Sequence, residues 1–528
     1  MRKKRKRAAM LLLMLISAFP ALAEVLTGNC GEQGDNVTYN LDTESGVMVI
    51  TGTGEMENFT TAEDRPWHLY QDQIKSVVIN EGVTNIGTNA FIECAELTSI
   101  TIPEGLRHIG SFALKECSKL DEVSLPNTLL TIGGCAFEGC VSLKSITLPG
   151  SIGNVEYGAF RDCVGLTALE IQDGVEVINQ QAFDNCTSLT SVYIPASTQI
   201  GVTFPGCTSL TSVEVDENNP WLCSEDNVVY DKSKETLVFV PAGRRGDFTV
   251  PNSVFEIQSF AGCKFLTHIT IPESVRSIRS SAFKGCSALT SMVIPESVTF
   301  MDAYGTFESC SALSSVTLPQ SLTVIDGNMF AGCSSLTAID IPENVTRIRN
   351  GAFQDCSSLT SITIPNSVTE IEGYAFYGCS SLTSVNIPES VISIGREAFW
   401  GCSHLTSVSI PESVISIGDN AFSECPNLSS ITVDAGNEKY DSRENCNAII
   451  ETSTNTLMTG CKNSFIPQSV TIIGCGAFQR CGGLTSITIP NSVTSIEASA
   501  FSGCYSLTSV NIPESVISIG VNAFYKCM

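Results

Sequence analysis

The stretch Leu359-Thr360-Ser361-Ile362-Thr363-Ile364 alternates apolar and polar side chains, which puts Ile362 and Ile364 on one face of a short strand and Ser361 and Thr363 on the other. Pro365 ends that strand. Ser367-Val368-Thr369-Glu370-Ile371 then brings two more inward apolar groups back along the far side, and Ala375-Phe376 turns the chain again. The same order returns at a fixed period: Cys379 lies 23 residues after Cys356 and 23 before Cys402. The Phe-x-x-Cys element, or a variant of it, occurs 17 times from Cys94 to Cys527, with most steps of 23 residues, one of 21, one of 24 and two of 56. One such unit cannot bury its apolar face alone, so the period predicts a repeat solenoid, mostly β and turn, with one parallel sheet face and irregular turns on the other side.

The two long steps mark insertions. The first spans 216–247, with Asn227-Val228-Val229-Tyr230-Asp231 and Thr236-Leu237-Val238-Phe239-Val240; the second spans 434–464, with Asn447-Ala448-Ile449-Ile450-Glu451 and Thr456-Leu457-Met458. Each holds two β-rich runs around a polar turn and reads as a hairpin projecting from the array, and loops that interrupt repeats often carry binding. The periodic segments are then 74–215, 248–433 and 465–528. Ahead of them, 24–73 lacks the period; Val37-Thr38-Tyr39-Asn40-Leu41 and Val47-Met48-Val49-Ile50-Thr51 predict a β-hairpin cap over the first rung. Counting one strand per copy and one per insertion predicts about 19 rungs, roughly 90 Å at ~4.8 Å per strand. The last copy ends at Met528 with no following strand, which predicts an uncapped edge able to pair end to end with another molecule.

Residues 1–23 carry a basic start (Arg2 to Arg7), an apolar run from Ala8 to Phe19 and Ala21-Leu22-Ala23, the three parts of a secretory signal peptide. The apolar run is shorter than the ~20 residues a bilayer span needs, so no membrane span is expected after cleavage. With 43% hydrophobic and 16% charged residues, the chain has enough apolar material for a continuous interior. The net charge of −26 argues against nucleic acid or an anionic membrane as partner.

The motif Ala-Phe-x-x-Cys-x-x-Leu-x-x-Ile-x-Ile-Pro-x-x-Val-x-x-Ile, at 23-residue spacing over about 74 to 528, resembles the BspA-like leucine-rich repeats of exported bacterial and protozoan proteins. The segment holding Cys30, Gly52, Gly54 and Trp67 is similar to the one found ahead of such arrays. The resemblance implies a leucine-rich-repeat fold, a secreted or cell-surface location, and protein–protein interaction or adhesion to host or microbial surface macromolecules. Its partner would be an extracellular protein or glycan. It supplies no catalytic residues and no cofactor.

The side chains are read against that background. Of 23 cysteines, 17 occupy one repeat position beside Phe and Leu, where a small buried thiol fits. Cys446 and Cys461 border the second insertion and are the one pair placed for a disulfide. His68, His108, His268 and His404 are too scattered for a metal site, and no serine has a recurring histidine partner, so no enzyme is expected. The outward strand position is mostly Thr or Ser; Glu170, Tyr193 and Glu214 break that run just before the first insertion. With Trp221 and Tyr230 they form the candidate binding patch. Two other readings stay open, a structural spacer or surface-layer element assembling end to end, and a polysaccharide-binding accessory protein.

Overall fold

A computed structural model describes residues 25–201 and 204–527. The signal peptide expected over 1–23 lies outside the described residues. The chain forms two compact units, Met1–Asn227 and Val228–Met528, and the division falls within the first insertion.

In the first unit the cap has three strands rather than the two of the expected hairpin. Val25–Gly31 pairs antiparallel with Gly34–Asp42, which pairs antiparallel with Val47–Gly52. The first of these contains Gly28 and Gly31, poor strand formers, which hides it from a propensity reading. Val47–Gly52 then takes Ser76–Ile79 as a parallel neighbour, so the cap's last strand is the template for the first rung. Trp67 is fully buried, stacks on Phe91 at 5.7 Å and 18°, and donates its indole N–H to the Ala90 carbonyl at 3.0 Å. It therefore opens the column of rings continued, farther along the unit, by Phe137, Phe160 and Phe183. Arg65, also buried, has its guanidinium bonded to Ala62 O, Ile92 O and Gln71 Oε1.

Parallel ladders form on both sides of the stack, which adds regular pairing on the side expected to hold irregular turns; on the other side they are interrupted, and between 336 and 387 only the isolated bridge Asp340–Thr363 remains there. In the first unit Asn85–Ile86, His108–Ile109, Thr131–Ile132, Asn154–Val155, Val177–Ile178 and Gln199–Ile200 form one parallel sheet on the return side. In the second, Val324–Ile325, Arg347–Ile348, Glu370–Ile371, Ser393–Ile394 and Ser416–Ile417 do the same. Only two residues per rung take part, too few for an alternating pattern to be visible in the sequence. The proline-led turn that reverses the chain closes in the same way each time, as where Val368 N donates to Pro365 O at 3.1 Å.

The insertions do not project as free hairpins. Thr236–Phe239 pairs antiparallel with Val228–Asp231 on one side and parallel with Glu256–Ile257 on the other, so it is itself a rung of the return sheet. Thr456–Gly460 does likewise between Ala448–Glu451 and Ile472–Ile473. The reason is burial: Val228, Val229, Leu237, Val238 and Phe239, like Ala448, Ile449, Ile450 and Leu457, are core residues.

Stacking also orders polar groups that the motif shows only as Ser, Thr and Cys. The Cys356 thiol donates to the Phe330 carbonyl of the preceding rung at 3.2 Å, and Cys379 to Phe353 O at 3.1 Å. Ser390 Oγ donates to Val368 O at 2.6 Å and Thr383 Oγ1 to Thr360 O at 3.2 Å. The residue before each repeat cysteine takes a left-handed conformation, as at Gly401 with φ of 74°.

Candidate functional site

In the first unit, Ala168–Ile171, Ser191–Ile194 and Ser212–Val215 lie side by side, and Tyr193 and Glu214 are direct register partners on the last two. Strand alternation turns Val192, Ile194, Val213 and Val215 into the core and leaves Glu170, Tyr193 and Glu214 exposed. Tyr193 is 46% exposed although bulky, because its ring stands on the outward face of a paired strand. Its hydroxyl donates to Asp216 Oδ2 at 2.5 Å; that bond, then burial, raises the phenol above its ordinary value and keeps it a neutral donor. Glu170 Oε2 accepts from Thr147 Oγ1 at 3.1 Å. Neither Glu170 nor Glu214 forms an ion pair among the described residues.

The structure thus brings three of the five nominated patch residues onto one strip and adds Asp216. Asp216 lies two residues beyond Glu214, the register partner of Tyr193 on the next rung, so strand alternation alone does not disclose the pairing. Trp221 is 45% exposed in the turn beyond the strip. That turn is held by buried Asn219, whose amide donates to Pro195 O and Thr198 O at 2.8 Å while its Oδ1 accepts from the Trp221 and Leu222 amides at 3.0 Å. Tyr230 does not join the patch: it belongs to the second unit and is 4% exposed, because the strand Val228–Asp231 is built into the core.

Asn437 repeats the role of Asn219 at the second insertion, donating to Pro411 O and Val414 O and accepting from the Lys439 and Tyr440 amides. Beside it opens a cleft of ≈ 900 Å³ lined by Glu389, Glu412, Ile415, Asn437, Glu438 and Lys439. Cys446 and Cys461, nominated as a disulfide, are free and buried. They have separate partners: the Cys446 sulfur contacts Ser442 Oγ and Ala448 O, and the Cys461 sulfur donates to Asn447 O at 3.5 Å. All 23 cysteines are free thiols. Burial pushes Cys140 and Cys310 of the repeat position up to about 12, so they are neutral donors to backbone rather than nucleophiles.

Comparison with known proteins agrees with this architecture. The family model described as BspA type leucine rich repeat region matches in six copies, over residues 68–129, 108–224, 246–360, 346–455 and 449–528. Comparison with curated proteins returned no match. Among solved structures, a leucine-rich repeat protein from Eubacterium ventriosum is 25% identical, with a TM-score of 0.54, covering 72% of this chain and 95% of its own. A leucine rich cell surface protein from Faecalibacterium prausnitzii is 23% identical with a TM-score of 0.43, covering 79% of this chain and 96% of its own. A leucine-rich repeat protein from Bacteroides ovatus is 27% identical with a TM-score of 0.39, covering 78% and 96%. With the family model matching well over half of its length, the chain belongs to the BspA type leucine rich repeat family.

Proposed function

We propose that this is an exported interaction protein that adheres to extracellular proteins of a host or of other microbes, with the strip Glu170, Tyr193, Glu214 and Asp216 as its protein-binding face and Trp221 at its border. The family suggests protein–protein interaction as its role, and the signal-like start at 1–23 supports export. No catalysis is assigned to it. The observation that carries the reading is Tyr193, a large aromatic held on an otherwise hydroxyl-bearing strand face by Asp216 and flanked by carboxylates without ion partners. An aromatic anchor ringed by acids suits a partner segment bearing Lys or Arg.

The test is surface plasmon resonance of the mature chain against extracellular-matrix and bacterial surface proteins. At least one protein should bind, with affinity falling as salt rises and by about tenfold in Tyr193→Ala or Glu214→Lys. Absence of binding to every protein, beside clear signal from neutral polysaccharides, would overturn the reading in favour of a polysaccharide-binding accessory protein.

A further inference from the structure

The second unit holds a feature that the protein-binding strip does not use. The whole chain has 29 Lys and Arg against 55 Asp and Glu, yet residues 228–284 have eight against five. At the centre of this reversal are Arg245 and Lys264, both exposed. The Arg245 guanidinium carbon lies over the Phe265 ring, 3.9 Å from its centroid. Neither Arg245 nor Lys264 has a carboxylate partner among the described residues. The nearby acid, Asp247, is already engaged, accepting from Thr267 Oγ1 at 2.8 Å and facing His268 Nδ1 at 3.0 Å.

The backbone is shaped for this arrangement. Arg245–Thr249 pairs in parallel with Phe265–Thr270, Arg245 opposite Phe265, and the register skips Thr267 between Gly246 and Asp247. Gly246 sits there at φ of 81°, a conformation glycine adopts without strain. Such bulges re-aim the side chains beside them. At the positions of Lys264 and Phe265 the preceding and following copies of the motif in the sequence carry Thr208 and Ser209, and Ser287 and Ala288, so the cation and the ring are local departures from the repeat. Exposed Thr249 and Thr270 continue the same two strands.

The geometry points to a binding site for the carboxylate of a terminal acidic sugar, formed by Arg245 over the Phe265 ring, with Lys264 next to Phe265 in the chain. A guanidinium held over a ring keeps N–H groups free for bidentate pairing with a carboxylate. Threonine hydroxyls and the aromatic edge suit the polar and C–H faces of a sugar ring. The cations occupy two adjacent strands within a strongly acidic chain, so a single charge at the end of a glycan is favoured over a long polyanion, which the rest of the surface repels. An acidic peptide is less suited, since its carboxylates come without the ring hydroxyls and C–H face that the threonines and the aromatic ring would engage.

The site is separate from the strip around Tyr193, so the two are tested apart. Binding of 3′-sialyllactose to the full mature chain is followed by ligand-observed NMR and calorimetry, with lactose, a heparin oligosaccharide and an oligoglutamate peptide as comparisons. The sialylated sugar should bind and lactose should not. Arg245→Ala and Lys264→Ala should each weaken binding about tenfold, and Arg245→Lys should also weaken it, because charge without the planar fork loses the bidentate contact. Tyr193→Ala should leave it unchanged, and circular dichroism should show every variant folded. Equal binding of lactose, no binding of the sialylated sugar, unaltered affinity in the Arg245 and Lys264 variants, or preference for heparin or the peptide would each overturn the proposal.

Discussion

The repeat cysteine, read from the sequence as a small buried thiol, has a second role in the fold. Most rungs place it beside a carbonyl of the rung before, commonly that of Phe, where it both fills a small apolar space and donates a hydrogen bond. Cys475 alone is exposed, and Cys223 and Cys527 are half-buried. In the native protein an aromatic disulfide reagent should label Cys475 fast and those two slowly, with the remainder reacting only in denaturant; fast reaction of all the thiols would contradict the burial. The raised thiols also set a pH dependence. Unfolded cysteines ionise near 9, whereas buried Cys310 and Cys425 remain protonated to about 12 in the fold, so the unfolded state loses those protons first and stability, complete below 9, falls as pH rises from 9 towards 12. The slope is roughly 1.4 kcal/mol per pH unit for each thiol, measurable from urea midpoints, and Cys356→Ala should make it shallower. That substitution should itself cost about 1–2 kcal/mol through the lost sulfur contacts and hydrogen bond.

Among the strands and turns, the surprises share one cause: polar groups serving the rung before. Ser367, Ser390 and Ser413 look like surface residues of proline-led turns but donate to Val345 O, Val368 O and Val391 O. Asn219 and Asn437 look like turn residues but are buried staples that hold the insertions against the array. Asn437→Ala removes partners from two carbonyls and two amides and should cost roughly 2–4 kcal/mol, with hydrogen exchange rising first around 437–451. Gly401→Ala gives a cleaner measurement, since a Cβ there meets nothing nearer than the Gly378 Cα and N at 3.6 Å. Only its left-handed φ is strained, for a loss of about 1–2 kcal/mol by denaturant unfolding. The strand pattern, the turns and the approximate sites of both insertions were legible from the period. The two-residue return ladders and the cap's first strand were not, because pairing there depends on neighbours rather than on intrinsic preference.

Taken as a whole, each unit is a stack in which a rung is stabilised mainly by those on either side. Coupling should therefore decay with distance along the chain. Phe353 stacks on Phe330 at 5.4 Å and on Phe376 at 5.3 Å, so Phe353→Asp should raise hydrogen exchange in those rungs before it does so near Phe283. Uniform deprotection of Val228–Met528 would show instead that the unit unfolds all at once. The two proposed binding surfaces lie where the stack breaks its own rule. The strip around Tyr193 and the cations around Arg245 are both departures from the consensus face.

The amino-acid order alone was enough to specify the solenoid, its period, its inward aliphatic, aromatic and thiol positions, and the places where repetition stops, because these follow from local alternation repeated many times. The three-dimensional arrangement settled which departures are surface and which are core. Tyr193 stays out and Tyr230 goes in, although both are tyrosines in β-rich runs near the first insertion. It also joined Tyr193 to Asp216, Arg245 to Phe265 and repeat thiols such as Cys356 to a carbonyl one rung away. Those pairings depend on strand register and on burial by neighbouring rungs, and neither quantity is carried by any single stretch of the chain.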